Sequence, residues 1–165
     1  MKGSPKVVEH LQGLLNCELA ARHQYLGHAR KLHDWGLHKL AEHMEHELVE
    51  EAEHADKLIE RMLFLEAEPD YNSVDKVNIG DDVEEMLKLD LNVEYSVAAA
   101  LKEAMAVCEA EQDYDTRDIL LQLLDDTEMD HAWWLEQQLH RIRLMGIQNY
   151  TQSQMGEGMQ PAADR

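Results

Sequence analysis

The 165-residue chain is acidic, with a formal net charge of -19 at pH 7. A nucleic acid would meet a repulsive field on such a surface, and no basic patch offsets it, so nucleic-acid binding is disfavoured. The length suits one domain, and a composition with three prolines and abundant Leu, Ala, Glu and Gln favours helices over sheet. We expect an all-α domain over residues 1–155 and a flexible tail over 156–165.

The sequence also predicts a cytoplasmic protein that does not contact a membrane. Its N-terminus lacks the apolar run of a signal peptide, and no stretch approaches about 18 uninterrupted apolar residues. Cys17 and Cys108 form no Cys-x-x-Cys pair and lie far apart, so we interpret both as buried thiols in a reducing compartment.

Two long helices and a long loop are predicted in the first half of the chain. The first helix begins at Ser4-Pro5, and its apolar residues recur at helical spacing until Trp35-Gly36. The second runs from Leu37 to Glu68-Pro69, where the proline is expected to end it. Residues 67–81 then show no sustained period, which predicts a loop.

The second half repeats this arrangement. A third helix opens at Asp82, with Glu85 three residues later in a capping-box arrangement, and continues to Cys108. The polar stretch 111–115 separates it from a fourth helix that ends before Met145-Gly146. Residues 147–155 form a short apolar segment that predicts a fifth helix.

The loop is long enough to cross the whole bundle. The second helix is about 42 Å long at 1.5 Å per residue, and a loop of about 15 residues at about 3.3 Å each spans about 50 Å. Short connections inside each half make antiparallel neighbours, and the long loop joins the two hairpins. The prediction is therefore a ferritin-like four-helix bundle with one long crossover loop and a short fifth C-terminal helix.

A carboxylate interrupts the apolar stripe near the middle of each long helix. These four residues are Glu18, Glu51, Glu94 and Glu128. Two of them are followed three residues later by a histidine, His54 and His131, and this spacing puts both side chains on one helix face. Antiparallel packing is expected to bring all six residues to one level of the core.

Burying these carboxylates requires compensation, because an unpaired charge in the core costs several kcal/mol. Arg22 lies on the same stripe and is able to pair with one of them, whereas two divalent cations supply the whole charge with ligands suited to iron. Manganese and zinc suit the same ligands. One Glu from each of two helices plus Glu-x-x-His from the other two is the di-metal pattern of such bundles. The alternative is a set of polar residues that fixes helix register, satisfied by Arg22, Tyr25 and water.

At these residues the chain resembles bacterioferritin, and the likeness extends over nearly its whole length. The further segments that carry it are Asn16-Cys17-Glu18-Leu19, Asp34-Trp35-Gly36-Leu37, His54-Ala55-Asp56, residues 79–87 and Met145-Gly146-Ile147-Gln148-Asn149-Tyr150. The resemblance implies iron storage and detoxification: a ferroxidase that oxidises Fe(II) to Fe(III) with oxygen or peroxide and stores ferric mineral. It also implies a shell of twenty-four subunits, made of this chain alone or mixed with a second bacterioferritin subunit.

The resemblance assigns a role to each ligand of a site that holds two irons per subunit. Glu51 and Glu128 bridge the irons, Glu18 and His54 complete one coordination sphere, and Glu94 and His131 complete the other. Tyr25 lies beside the site and hydrogen-bonds a ligand carboxylate. His46 and Glu50 match an accessory iron site on the cavity wall, although ordinary solvated helix residues are an equally good interpretation of that pair.

One position departs from the family. Bacterioferritin holds haem between two subunits through a methionine that directly follows the second-helix bridging glutamate, and here that residue is Ala52. We therefore expect no haem in a homopolymer. Two alternatives stay open: a haem-binding subunit in a mixed shell, where a second subunit supplies the methionine, and a non-catalytic acidic helical scaffold. Rubrerythrin-like peroxidases share the bundle but carry a cysteine module that is absent here.

Overall fold

The computed structural model describes residues 1–156 and confirms the all-α, ferritin-like bundle. Its helices are α1 (Pro5–Asp34), α2 (His38–Phe64), α3 (Val83–Glu111), α4 (Tyr114–Asp126), α5 (Trp133–Met145) and the short α6 (Ile147–Gln154). A π-helical turn, Thr127–Ala132, joins α4 and α5 into the fourth long helix. Apart from Gly156, the predicted tail lies outside the described residues, and the domain boundary at 155 stays a prediction.

Contacts between helix ends establish the antiparallel order of the bundle. At the start of α1, the backbone N–H of Gly3 donates to the carbonyl of Leu65 just after α2, at 2.9 Å. The Ser4 hydroxyl donates to the Glu111 carboxylate at the end of α3, at 2.8 Å. The start of α1 therefore meets the ends of both α2 and α3, as two hairpins joined by a crossover require.

The second helix ends earlier than its proline predicted. It stops at Phe64, because the chain turns through a left-handed Glu66 with φ of 60°. The N–H groups of Ala67 and Glu66 donate back to the carbonyls of Met62 and Leu63, each at 3.0 Å, which is a Schellman closure. The helix thus ends where its last backbone carbonyls accept hydrogen bonds from the following turn, before the chain reaches Pro69.

The crossover loop lies along α1 from Gln12 to Lys31. Near its start Gln12 exchanges two hydrogen bonds with the backbone of Asp70, and near its end Gln24 accepts from the N–H of Asn78 at 3.1 Å. His28 accepts from the N–H of Gly80 at 3.1 Å. Gly80 has no room for a side chain, since a Cβ there would lie 2.7 Å from the backbone nitrogen of Met86.

A buried polar pair ties this anchor to α3. Asp90 accepts from the Gln24 amide at 2.8 Å and lies 2.9 Å from Nδ1 of His28. Because Nε2 of His28 accepts from Gly80, its Nδ1 carries the proton and donates to Asp90. Burial raises the pKa of Asp90, and the hydrogen bonds from His28 and Gln24 oppose that rise. This arrangement fixes the register between α1, α3 and the loop.

The core is divided into two apolar clusters. One contains Tyr25, Leu32, Leu40 and Leu139, and the other contains Leu11, Leu58, Leu101 and Leu120. The predicted ligand positions on α1, α2 and α3 lie between these clusters in the sequence of each helix, so the polar layer is enclosed by apolar packing on both sides. Within residues 1–156, none of the helices is both long and apolar enough to cross a membrane.

The junction of α2 and α4 provides a stability test. Asp113 caps α4 by accepting from the Thr116 N–H at 3.1 Å and pairs with the Arg61 guanidinium at 2.9 Å. We expect Asp113→Asn, which can still cap the helix, to cost about 1 to 3 kcal/mol because the mostly buried charge of Arg61 loses its carboxylate partner and keeps the Thr116 hydroxyl. Thermal unfolding near neutral pH measures the loss, and Asp118→Asn, at an exposed ion pair, is the control with little effect.

The same variant has a defined pH dependence. Burial opposes ionisation of Asp113, but hydrogen bonds from Thr116 and Arg61 outweigh burial and lower its pKa. A lowered pKa in the folded state gives stability that is complete above the unfolded value of 3.8 and disappears as the pH falls through the folded value. The difference between wild type and variant should therefore shrink below that pH, and a difference that grows in acid would contradict this assignment.

Candidate metal centre

Five of the six predicted ligands meet in the polar layer. They are Glu18 on α1, Glu51 and His54 on α2, Glu94 on α3 and His131 in the π turn, each at most 3% exposed. Their helical stripes place them at a common height, as the antiparallel arrangement predicted. The layer therefore holds three carboxylates and two imidazoles away from water.

The predicted ligands form two groups of three residues, and both groups contain the Glu51 carboxylate. In the first group Nδ1 of His54 lies 3.8 Å from Glu18 and 3.5 Å from Glu51. In the second, Nδ1 of His131 lies 3.2 Å from Glu51 and 3.5 Å from Glu94. Within each group one ligand atom per residue lies within 4.8 Å of the others. Glu51 belongs to both groups, so it stands where a carboxylate bridging two cations would stand.

Several buried carboxylate oxygens and imidazole nitrogens of this layer have no hydrogen-bond partner. They include both carboxylate oxygens of Glu18 and the Nδ1 atom of His54, whose nearest carboxylate oxygen, on Glu51, is 3.5 Å away. Buried polar atoms without a partner are rare and costly in native proteins. Since all of them are carboxylate oxygens or imidazole nitrogens aimed at one another, two divalent cations of the iron, manganese or zinc type fit the site.

The charges of the layer are strongly coupled. Burial and the neighbouring Glu51 raise the pKa of Glu18 well above its ordinary value. Burial also opposes ionisation of Glu51, but contacts with Glu18, His131 and His54 outweigh burial and lower its pKa. Glu18 is therefore the carboxyl that holds a proton, and Glu51 carries the negative charge.

Both histidines favour the protonated form when no metal is bound. Burial alone would lower the pKa of His54, but Glu18 and Glu51 outweigh it and raise the pKa to about 10. Against the same opposing effect of burial, Glu51 and Glu94 raise the pKa of His131 to about 12. The two imidazolium groups thus supply the positive charge that bound metal ions would otherwise supply.

Tyr25 lies beside the second ligand group. Its hydroxyl donates to Glu94 at 2.5 Å, and the side chain is fully buried. Burial and the Glu94 carboxylate raise the pKa of Tyr25 well above its ordinary value, so it stays a neutral donor. The sequence predicted Tyr25 beside the site, and the structure places its hydroxyl on one oxygen of Glu94 while the other oxygen faces His131.

Glu128 is the predicted ligand that the structure leaves outside the layer. Its side chain is 42% exposed and pairs with Lys102 on α3. The π turn is the physical reason, because it places the buried Thr127 on the inward face that the apolar stripe had assigned to Glu128. The alternative pairing of Arg22 with a buried carboxylate is not found among residues 1–156, where Arg22 is exposed.

The layer includes two acidic residues that the sequence pattern did not single out. Glu47 is buried, with one oxygen 3.1 Å from Nε2 of His131. Asp126, half exposed, lies 3.4 Å from Nε2 of His54. A signal for Glu47 was present, because it stands four residues before Glu51 and so shares its helix face. No such spacing marked Asp126, whose approach depends on the packing of α4 against α2.

The two predicted accessory residues extend from the layer toward solvent. Glu50 lies 3.1 Å from Nε2 of His131 through one oxygen and 3.3 Å from the exposed His46 through the other. Glu47, Glu50 and His131 form a third group with ligand atoms within 4.8 Å of one another. The structure therefore connects the accessory pair to the buried cluster through His131.

The fold and this carboxylate–histidine layer define a ferritin-like bundle, and comparisons with known proteins agree. The ferritin-like domain matches residues 8–145. A bacterial ferritin of a Synechocystis species is 57% identical over 155 residues, covering 94% of this chain and 99% of the relative. One from Pseudomonas aeruginosa is 50% identical, covering 94% and 100%. A bacterioferritin of Brucella melitensis is 41% identical, covering 92% and 94%.

The chain belongs to the bacterial ferritin and bacterioferritin family.

Proton release should accompany metal binding at this centre. Because the pKa values of His54 and His131 are raised to about 10 and about 12, both are protonated near neutral pH, and each must lose a proton to bind a metal. With the proton that Glu18 also holds, we expect roughly three protons released per subunit and an affinity that rises with pH. Calorimetry of zinc binding in buffers of different ionisation enthalpy counts them, and His54→Gln should remove about one. Binding without proton release would contradict these protonation states.

Proposed function

We propose that this chain is an iron-storage subunit with ferroxidase activity at the buried layer. The observation that carries the proposal is the pair of three-residue ligand groups that share Glu51 and leave buried donor atoms unpartnered. Iron is the metal that the names of the related bacterial ferritins and bacterioferritins support. The same ligands suit manganese and zinc, so the relatives and not the ligand types decide the metal.

The ligand groups are suited to take two Fe(II) ions as substrate. Glu18 and His54 hold one ion, Glu94 and His131 hold the other, and Glu51 lies between them. Each Fe(II) loses one electron to become Fe(III), so two ions together deliver the two electrons that reduce oxygen to peroxide, or peroxide to water. The apolar clusters on both sides keep bulk water away, which strengthens the attraction between cation and carboxylate.

Residues around the ligands have supporting parts in this proposal. Tyr25 orients Glu94 through its short hydrogen bond. Glu50 contacts both His131 and His46, and these contacts support an accessory iron position reached from the centre through Glu50. Glu128 is the proposed second bridge, although its present position lies on the outer side of the layer.

The proposal extends to assembly and to haem. Exposed apolar side chains such as Phe64, Trp133 and Leu144 offer surface to bury between subunits, which supports a shell that encloses ferric mineral. Twenty-four copies, alone or with a second bacterioferritin subunit, is the family's arrangement and our proposal for this chain. Ala52 supplies no axial ligand, so we propose that a homopolymer binds no haem. A non-catalytic scaffold would have no use for unpartnered buried ligand atoms.

Rapid oxidation of added Fe(II) tests the ferroxidase activity. Stopped-flow absorbance after mixing with oxygen should show prompt ferric signal saturating near two irons per subunit. Glu94→Ala removes a ligand of the second group, and we expect the initial rate to fall by about 100-fold or more. Glu103→Ala, an exposed glutamate on the same helix, is the matched control with an unchanged rate. Equal rates in both variants would contradict the proposed centre.

The Tyr25→Phe variant tests whether Tyr25 only orients Glu94 or is itself needed for metal binding. Loss of the hydroxyl frees Glu94 to rotate, so we expect an initial oxidation rate about 10-fold lower while zinc stoichiometry stays the same. Stopped-flow absorbance and zinc titration measure the two quantities. A drop in stoichiometry equal to that of Glu94→Ala would instead make Tyr25 essential to the binding site.

A further inference from the structure

Two histidines face each other at the hairpin between α1 and α2, about four helical turns away from the polar layer. His33 lies in the last turn of α1, and His38 is the first residue of α2. Their Nδ1 atoms are 3.1 Å apart, and both side chains are partly exposed. The rings are tilted by 41° with centroids 5.4 Å apart, so the contact is made by the nitrogens and not by stacked ring faces. The hairpin therefore brings two imidazole nitrogens together beside solvent.

The backbone of the turn holds the two side chains in place. The N–H of Gly36, whose φ is 75°, donates to the carbonyl of His33 at 3.0 Å. The N–H of Leu37 donates to the carbonyl of Leu32 at 2.9 Å, and both leucines are buried in the core. Because the turn is already ordered, little conformational freedom of the backbone is lost when the pair binds a ligand.

A carboxylate on α2 supports the His33 ring from its other side. Nε2 of His33 lies 3.3 Å from Glu45, which also pairs with Arg30 at 3.0 Å. A neutral His33 that donates from Nε2 to Glu45 has its lone pair on Nδ1, where it faces His38. Histidines that bind metal ions usually donate their other ring N–H to a carboxylate in this way. Glu45 thus favours the His33 tautomer that a metal ligand requires.

The separation of the two nitrogens suits a single cation. With metal–nitrogen bonds of about 2.0–2.1 Å, two imidazole ligands of one ion lie about 2.9 Å apart at a right angle and about 3.3 Å apart at the tetrahedral angle. The observed separation of 3.1 Å lies between these values. Because both ligand atoms are imidazole nitrogens, the pair favours zinc or copper(II) over magnesium, calcium or manganese.

We propose that His33 and His38 bind a divalent cation of the zinc and copper(II) class at the α1–α2 hairpin, with Glu45 as a positioning residue. The cation takes the place of the proton between the two Nδ1 atoms, and the proton of a neutral His38 moves to its Nε2. Water completes the coordination. The site is separate from the polar layer, does not depend on the proposed function, and links the end of α1 to the start of α2.

A count of bound zinc in solution tests the site. At saturating zinc, the wild type should hold about one zinc per subunit more than His38→Gln, because glutamine is not among the usual zinc ligands. The glutamine amide can still donate to His33, so the variant keeps the hairpin contact. His23→Gln, at an exposed histidine on α1, is the matched control and should bind as much zinc as the wild type. Equal counts in wild type and His38→Gln, or a loss that His23→Gln shares, would overturn the inference.

The role of Glu45 has its own readout. In Glu45→Gln, the part of the zinc binding that His38→Gln lacks should weaken by about 10-fold, while the count at saturation stays the same. Glu42→Gln, at an exposed glutamate on the same helix, is the control with unchanged affinity. Equal affinity in Glu45→Gln and the wild type would contradict the positioning role.

Anomalous diffraction from crystals of the zinc-bound wild type locates the ion without any variant. We expect a zinc peak between the Nδ1 atoms of His33 and His38. Zinc in the polar layer with none at the hairpin would overturn this inference and leave the proposed function standing. Zinc at the hairpin with none in the polar layer would support this inference and count against the proposed centre.

Discussion

Like charges held close together in a dry interior are the constraint on which this structure depends. Glu18, Glu51 and Glu94 approach one another between two apolar clusters, where water cannot screen them. Without metal the layer is balanced by protons, since the histidines favour the imidazolium form and Glu18 holds its proton. The same positions would accept cations once those protons leave, so protonation and the proposed metal binding are alternative ways to balance the charge of the layer.

The rest of the bundle keeps that layer in register. The crossover loop is anchored along α1, and its last anchor connects through His28 to the buried Asp90 on α3, one helical turn from Glu94. Gln24 joins the same network beside Tyr25, which donates to Glu94. The end of the crossover loop and helix α3 are therefore fixed to the same turn of α1. The height of the carboxylates in the bundle thus follows from the path of the loop.

The four long helices differ in how regular their backbone is at the height of the polar layer. On α1, α2 and α3 the ligands lie on continuous α-helix enclosed by packed side chains. The fourth long helix contains a π turn at the ligand positions, with His131 inside and Glu128 outside. An extra residue in a helical turn is a local strain that needs compensation, and π turns of this kind are frequent at functional sites. The fourth long helix therefore differs from the other three in its backbone hydrogen bonding at the height of the polar layer.

The sequence alone determined the helices, their antiparallel order and five of the residues that meet in the polar layer, because helical periodicity and Glu-x-x-His spacing are local properties that survive in any packing. It assigned Glu128 and Arg22 to the core for the same reason, since a regular 3.6-residue period has no place for a wide turn. Only the tertiary structure decided that Glu47 and Asp126 join the layer, that α2 ends at Phe64, and that Glu128 faces Lys102. Those outcomes depend on contacts between residues distant in sequence, and on the balance of charge in a layer that no single helix contains.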